Sequence, residues 1–183
     1  MIIGVTGKSG SGKSTYSERI ASKYNAVVVH VDEVGHQVLA EPEVIDEISN
    51  AFGNSVINEN LLVNRKLLGD LIFSSRHDYE KLTAIVWSRI KEKLDYIIKN
   101  NSVVILDWLL LPHTHYWKLC DKKILVTAVN ETVRKDKVMK RDCISKEYLD
   151  ARDAAGINYD NILVDEIIKL KNLGDSIYAS KYE

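Results

Sequence analysis

An apolar run, Ile2-Ile3-Gly4-Val5, leads into Gly7-Lys8-Ser9-Gly10-Ser11-Gly12-Lys13-Ser14-Thr15, and a helix-forming run, Tyr16 to Tyr24, follows. The central stretch fits G-x-x-x-x-G-K-[ST] in the strand–loop–helix setting that gives the pattern its meaning. Its glycines let the backbone curl until successive N–H groups converge on one anion. The helix behind adds its unsatisfied N-terminal donors and the positive end of its dipole at the same point. A chain with this opening is constrained to an α/β sheet with a phosphate site at the strand's C-terminal end. The expected nucleotide contacts are Ser9, Gly10, Ser11, Gly12, Lys13, Ser14 and Thr15. Lys13 bridges the β- and γ-phosphates of ATP, and the Ser14 hydroxyl ligates Mg²⁺.

Four further apolar segments read as buried strands: Ala26 to Val31, Val103 to Leu106, Ile124 to Val129, and a weaker one at Ile167-Ile168. Their near-continuous Val and Ile content suits a sheet covered on both faces. Helical stretches separate them, which predicts a three-layer fold with a central parallel sheet of about five strands and right-handed crossovers. The first two strands are joined by one helix over about 13–24. Val31 and Val103 are instead separated by three apolar-periodic stretches, at Val44/Ile45/Ile48/Phe52, Leu67/Leu68/Leu71/Ile72 and Leu82/Ile85/Val86/Ile90/Leu94/Ile97. One crossover helix would suffice, so the surplus reads as a helical, acceptor-binding insertion at about 32–101. With a small lid at about 130–160, the 183 residues make a single domain.

Lys+Arg is 25 against 26 Asp+Glu, which excludes a general nucleic-acid footprint. The two cysteines, Cys120 and Cys143, argue against a disulfide scaffold or a cysteine zinc site and suit a reducing compartment. No apolar run approaches the roughly 18 residues of a membrane span, and the start lacks the features of a signal peptide. The expectation is a cytoplasmic protein with a small-molecule partner and neither nucleic acid nor membrane.

No guanine-reading Asn-Lys-x-Asp is present, which argues against a switch GTPase, and the length fits a small nucleoside or nucleotide kinase. Asp32 follows the second strand at the edge that faces the ligand crevice, where a carboxylate can take the proton of an attacking hydroxyl. The alternative is a cap for a helix starting at Glu33, and one residue could do both. Asp107 ends the third strand after four apolar residues, which suits a carboxylate acting on Mg²⁺ through water. Arg134, Lys137 and Arg141 lie at i, i+3 and i+7 of a helix and share a face. They read either as a lid clamp on ATP phosphates or as a solvated basic face balanced by Glu131, Asp136 and Asp142. Arg65 and Lys66, in the insertion, suit an anionic acceptor, and Trp108 could stack on it. His113-x-His115 lacks a third metal ligand. Lys169 to Asn172 is a candidate nucleotide contact.

Taken together, these residues resemble the dephospho-CoA kinase family over about 2–175. The family's Thr-Gly-Gly-Ile-Gly-Ser-Gly-Lys-Ser-Thr is similar to Thr6 through Thr15, and its Asp-Ala-Asp appears as His30-Val31-Asp32. Its Phe-Gly and Leu-x-Arg-Arg-x-Leu-x-x-x-Ile-Phe resemble Phe52-Gly53 and Val63 through Phe73, and its lid Arg-Asp resembles Arg141-Asp142 before Ser145. The resemblance implies ATP-dependent phosphorylation of the ribose 3′-hydroxyl of dephospho-CoA, the last step of coenzyme A biosynthesis. Asp32 would be the base, and Lys13 and Arg141 would carry the developing charge. The departures fall on the acceptor side. Trp87-Ser88 stands for the family's His-Pro, Asp107 through His113 lacks the proline and glutamate of Asp-x-Pro-Leu-Leu-x-Glu, and Gly156 falls near an expected glutamine. Three readings stay open: dephospho-CoA kinase, a nucleoside or nucleoside-monophosphate kinase, and a nucleotide-binding regulator without catalysis.

Overall fold

The glycine loop joins β1 (Ile2–Thr6) to α1 (Lys13–Tyr24) in a computed structural model that describes residues 1–170 and a strand at 178–180. After β2 (Val27–His30) come α2 (Val31–Val38), α3 (Pro42–Phe52), α4 (Arg65–Ser74) and α5 (Arg76–Asn100). Then follow β3 (Val104–Asp107), α6 (His115–Leu119), β4 (Lys122–Ala128), α7 (Glu131–Asp142), α8 (Lys146–Ala155), β5 (Glu166–Leu170) and β6 (Tyr178–Ser180).

Among the described residues the strands form one sheet in the order β2-β3-β1-β4-β5-β6. The first five are parallel and β6 runs antiparallel to β5. β6 is an addition to the five strands expected; its short, mixed sequence offers no apolar run from which to infer it. The chain divides into two compact units, Met1–His30 with Asn101–Glu183, and Val31–Asn100.

In the first unit one sheet face presents Ile3, Val5, Ile105, Ile124, Val126, Ile168 and Leu170 to a core that Tyr16 and Ile20 of α1 complete. Burying each such aliphatic side chain contributes about 1.5–3 kcal/mol. On the other face Gly4 admits close packing: a Cβ there would sit 2.7 Å from Cys120 Sγ and 3.0 Å from the Trp117 ring. Trp117 and Cys120 are buried, so this tryptophan is a packing residue, while Cys143 is exposed at the left-handed C-cap of α7.

In the second unit the three expected apolar stretches lie on α3, α4 and α5, and α5 packs against α2, α3 and α4. Pro42 begins α3 at a position where its missing N–H is harmless, and Asn64 caps α4 by accepting from the Leu67 N–H at 3.2 Å. The second strand ends one residue earlier than its apolar run. Val31 is buried yet opens α2, because an apolar run does not distinguish a strand from the buried start of a helix. Asp32 therefore lies inside the first turn of α2 and is not a cap ahead of Glu33. No described helix is long and apolar enough to cross a membrane.

Candidate active site

The loop's conformation explains its glycines. A Cβ on Gly7 would sit 2.1 Å from the Val126 carbonyl oxygen, and one on Gly10, at φ +75°, would sit 2.5 Å from Val138 of α7. The Ser11 N–H donates to the Lys8 carbonyl at 3.1 Å, closing the curl. Lys13 Nζ donates to the same carbonyl at 3.3 Å, so its ammonium lies folded over the loop. Ser11 is buried and its hydroxyl has no hydrogen-bond partner among the described residues; Ser14 is exposed and Thr15 half-buried.

The sheet register brings a carboxylate beside this loop. In the parallel pairing Val5 and His30 both lie opposite Asp107, so the ends of β1, β2 and β3 meet at one edge. His30 Nδ1 is 2.9 Å from Asp107 Oδ2, and His30 Nε2 is 2.9 Å from Glu18 Oε1 of α1. Asp107 is 4% exposed, and its Oδ1 is buried with no hydrogen-bond partner among the described residues. An orphaned buried carboxylate oxygen is expensive unless a ligand, ion or water completes it.

Helix α7 supplies cations to the loop, but in two different ways. Arg141 is exposed; its Nη2 donates to Ser9 Oγ at 3.0 Å, while its Nε donates to Asp142 at 2.7 Å. Arg152 of α8 also reaches Asp142, at 3.2 Å. The two arginines hold the Asp142 carboxyl below the usual carboxylate range, Arg141 foremost. Arg134, expected beside Arg141 as a phosphate contact, is 1% exposed. Its Nη1 donates to the Ser9 carbonyl and its Nε to Glu131, both at 2.8 Å, and Nη2 donates to Asp153 of α8. Burial works against its charge, but the Glu131 and Asp153 carboxylates more than offset this and hold it above the ordinary arginine value. The face shared by Arg134, Lys137 and Arg141 is thus neither a uniform clamp nor a solvated basic surface. Lys137 is half-buried.

The acceptor-side candidates divide between the units. In the second, Asp32 is exposed in the first turn of α2 and His36 follows one turn later. Arg65 opens α4, and its Nη2 lies 2.8 Å from His36 Nε2; Lys66 beside it is exposed. In the first, Trp108 is half-buried directly after β3, and its backbone N–H donates to the Val5 carbonyl at 3.1 Å. His113 ends a 3-10 turn and His115 opens α6, so the two do not share a strand face, and the described residues contain no metal-ligating cluster. Lys169 is on β5, at a cavity of about 390 Å³ that Lys8, Ser11, Thr127, Glu131 and Tyr159 also line. Residues 171 and 172 of that stretch lie outside the described residues.

Sequence reasoning missed Glu18, Asp153 and Tyr159. The Tyr159 hydroxyl donates to the Leu109 carbonyl at 3.2 Å, and Thr6 Oγ1 donates to the same oxygen at 3.1 Å. No local signal marks any of the three. His30 did carry one: it stands where the resembling family has the first Asp of Asp-Ala-Asp.

A glycine loop between β1 and α1, a lysine at the helix start and a carboxylate ending the neighbouring strand define a P-loop nucleotide-binding protein of the three-layer α/β class. Its fold is similar to the crystal structure of TT1252 from Thermus thermophilus, with a TM-score of 0.79, 24% identity and coverage of 94% of this chain and 89% of that one. It is also similar to dephospho-CoA kinase from Campylobacter jejuni, with a TM-score of 0.63, 24% identity and coverage of 93% and 88%. Residues 1–173 match the family model for dephospho-CoA kinase. The dephospho-CoA kinase of Fusobacterium nucleatum is 34% identical over 154 residues, covering 80% of this chain and 76% of the relative. That of Dehalococcoides mccartyi is 30% identical over 183 residues, covering 94% and 91%. The chain belongs to the dephospho-CoA kinase family.

Proposed function

We propose that this chain transfers the γ-phosphoryl group of ATP to the ribose 3′-hydroxyl of dephospho-CoA, the closing step of coenzyme A formation. Family membership over residues 1–173 supports the reaction. The single structural observation that carries the chemistry is the glycine loop, with Lys13 folded over it, beside the strand-end Asp107.

In this reading the loop amides and Lys13 cradle the ATP phosphates and take up charge as the phosphoryl group moves. Arg141, already on Ser9 at the loop's edge, adds a cation there. Asp32 orients or deprotonates the acceptor hydroxyl. Arg65, Lys66 and Trp108 bind the acceptor's anionic and aromatic parts. Residues 130–160 act as the lid that excludes water, which would otherwise hydrolyse ATP.

The residues also fit Mg²⁺. The exposed Ser14 hydroxyl and the buried Asp107 oxygen, unpartnered among the described residues, are the hard oxygen donors this cation takes, Asp107 through water. When bound, Mg²⁺ would neutralise charge on the phosphate oxygens.

ADP release from Mg·ATP across a panel of dephospho-CoA, nucleosides and nucleoside monophosphates tests the reading. Stimulation by dephospho-CoA alone supports it, and makes Trp87-Ser88 and the missing glutamate tolerated substitutions. Stimulation by another acceptor, or by none, overturns it in favour of a changed substrate or a nucleotide-binding regulator.

A further inference from the structure

We infer that Arg134 is a positioning residue that sets the Ser9–Gly10 peptide of the phosphate loop, and that Asp153 of α8 holds it in that role. The inference rests on ATP binding at the loop, and is independent of which acceptor is used.

Three observations converge on one peptide. The Arg134 guanidinium donates to the Ser9 carbonyl at 2.8 Å while being 1% exposed. Gly10 lies so close under α7 that a Cβ on it would meet Val138 at 2.5 Å and Arg134 Cγ at 3.3 Å. The guanidinium is itself anchored by Asp153 and Glu131. A trans peptide is planar, with its C=O and N–H on opposite edges. Tying the Ser9 carbonyl to α7 therefore turns the Gly10 N–H away from α7, the orientation a loop amide needs if it is to donate to phosphate.

The loop needs such a restraint. Gly10 at φ +75° is in a conformation that glycine reaches as readily as many others. Holding it there costs backbone entropy, which must otherwise be taken from binding energy. A buried, charge-assisted bond to the carbonyl is stronger than a neutral one and does not exchange with water. The same bond makes the loop sensitive to α8, because Asp153 compensates the buried charge.

Direct binding of Mg·ATP to the R134Q, R134K and D153N variants, with the Gly10 amide resonance followed in the nucleotide-free protein, tests this. R134Q is expected to lose about tenfold or more in ATP affinity and to shift or broaden the Gly10 amide before nucleotide is added. R134K should recover part of both, and D153N should weaken binding by several-fold. Adenosine, which has no phosphates, should bind all variants alike. Unchanged ATP affinity in folded R134Q or in D153N would overturn the inference. So would tighter binding in D153N, because a guanidinium released from Asp153 would then be acting on phosphate directly. Should R134Q fail to fold, D153N and R134K decide alone. If the unaltered chain binds Mg·ATP but turns over no acceptor, the kinase reading fails while this comparison still stands.

Discussion

The imidazole of His30 lies between two carboxylates, with Nδ1 2.9 Å from Asp107 Oδ2 and Nε2 2.9 Å from Glu18 Oε1. The two ends differ sharply: the Asp107 side chain is 3% exposed and that of Glu18 is 62% exposed. His30 is thus the partner of a buried carboxylate whose other oxygen has none among the described residues. Truncating H30A should cost about 1–3 kcal/mol of stability, because it leaves a buried acceptor unsatisfied. E18Q should cost a few tenths at most. Thermal melts of the two variants check this, and equal, negligible losses would remove His30 from that role.

Lys13 is half-exposed, and its bond to the Lys8 carbonyl is long. K13A is expected to keep its melting temperature within a few degrees while turnover falls about 10²-fold or more. Near-normal turnover would contradict the assignment of the loop to ATP.

Asp32 is exposed in the first turn of α2, where a negative charge is worth only about 0.3–1 kcal/mol to the helix. D32N should therefore fold and bind Mg·ATP normally, with turnover lower by about 10²–10⁴-fold if the carboxylate handles the acceptor's proton. Loss of folding in place of turnover would make it a structural residue of α2.

Asp142 makes the contacts between α7 and α8 sensitive to pH. Its carboxyl is held below the ordinary value near 3.8 by Arg141 and, less strongly, by Arg152. A lowered folded-state pKa means a contribution to stability that is complete above the unfolded pKa and disappears as pH falls through the folded value. The Arg141–Asp142–Arg152 contacts should thus persist until the pH drops below the ordinary carboxylate range. In R141A the Asp142 titration, followed by carboxyl NMR, should move upward, and acid should break the remaining Asp142–Arg152 contact at higher pH than in the unaltered chain.

Much of this architecture could be read from residues alone because burial and loop geometry restrict composition. Gly7 and Gly10 sit where any side chain would collide, and Val and Ile runs mark the five parallel strands. What could not be read depends on partners distant in sequence. A spacing of i, i+3 and i+7 puts Arg134, Lys137 and Arg141 on one face, yet gives no sign of what covers that face. Arg134 turns inward because Asp153 offers a compensating charge and Ser9 a carbonyl. The same holds for His30: its apolar neighbours announce a strand, but Asp107 across the register and Glu18 on α1 give the ring its purpose.

The contrast between the two thiols gives the chain a built-in reporter. Cys120 is sealed beneath β1, where burial pushes its thiol up to about 12, so it is inert to electrophiles near neutral pH. Cys143 is exposed, two residues beyond Arg141. A maleimide dye should therefore attach at a single place, the end of the helix that approaches the phosphate loop. Fluorescence from the otherwise unaltered protein would then follow nucleotide arrival in real time.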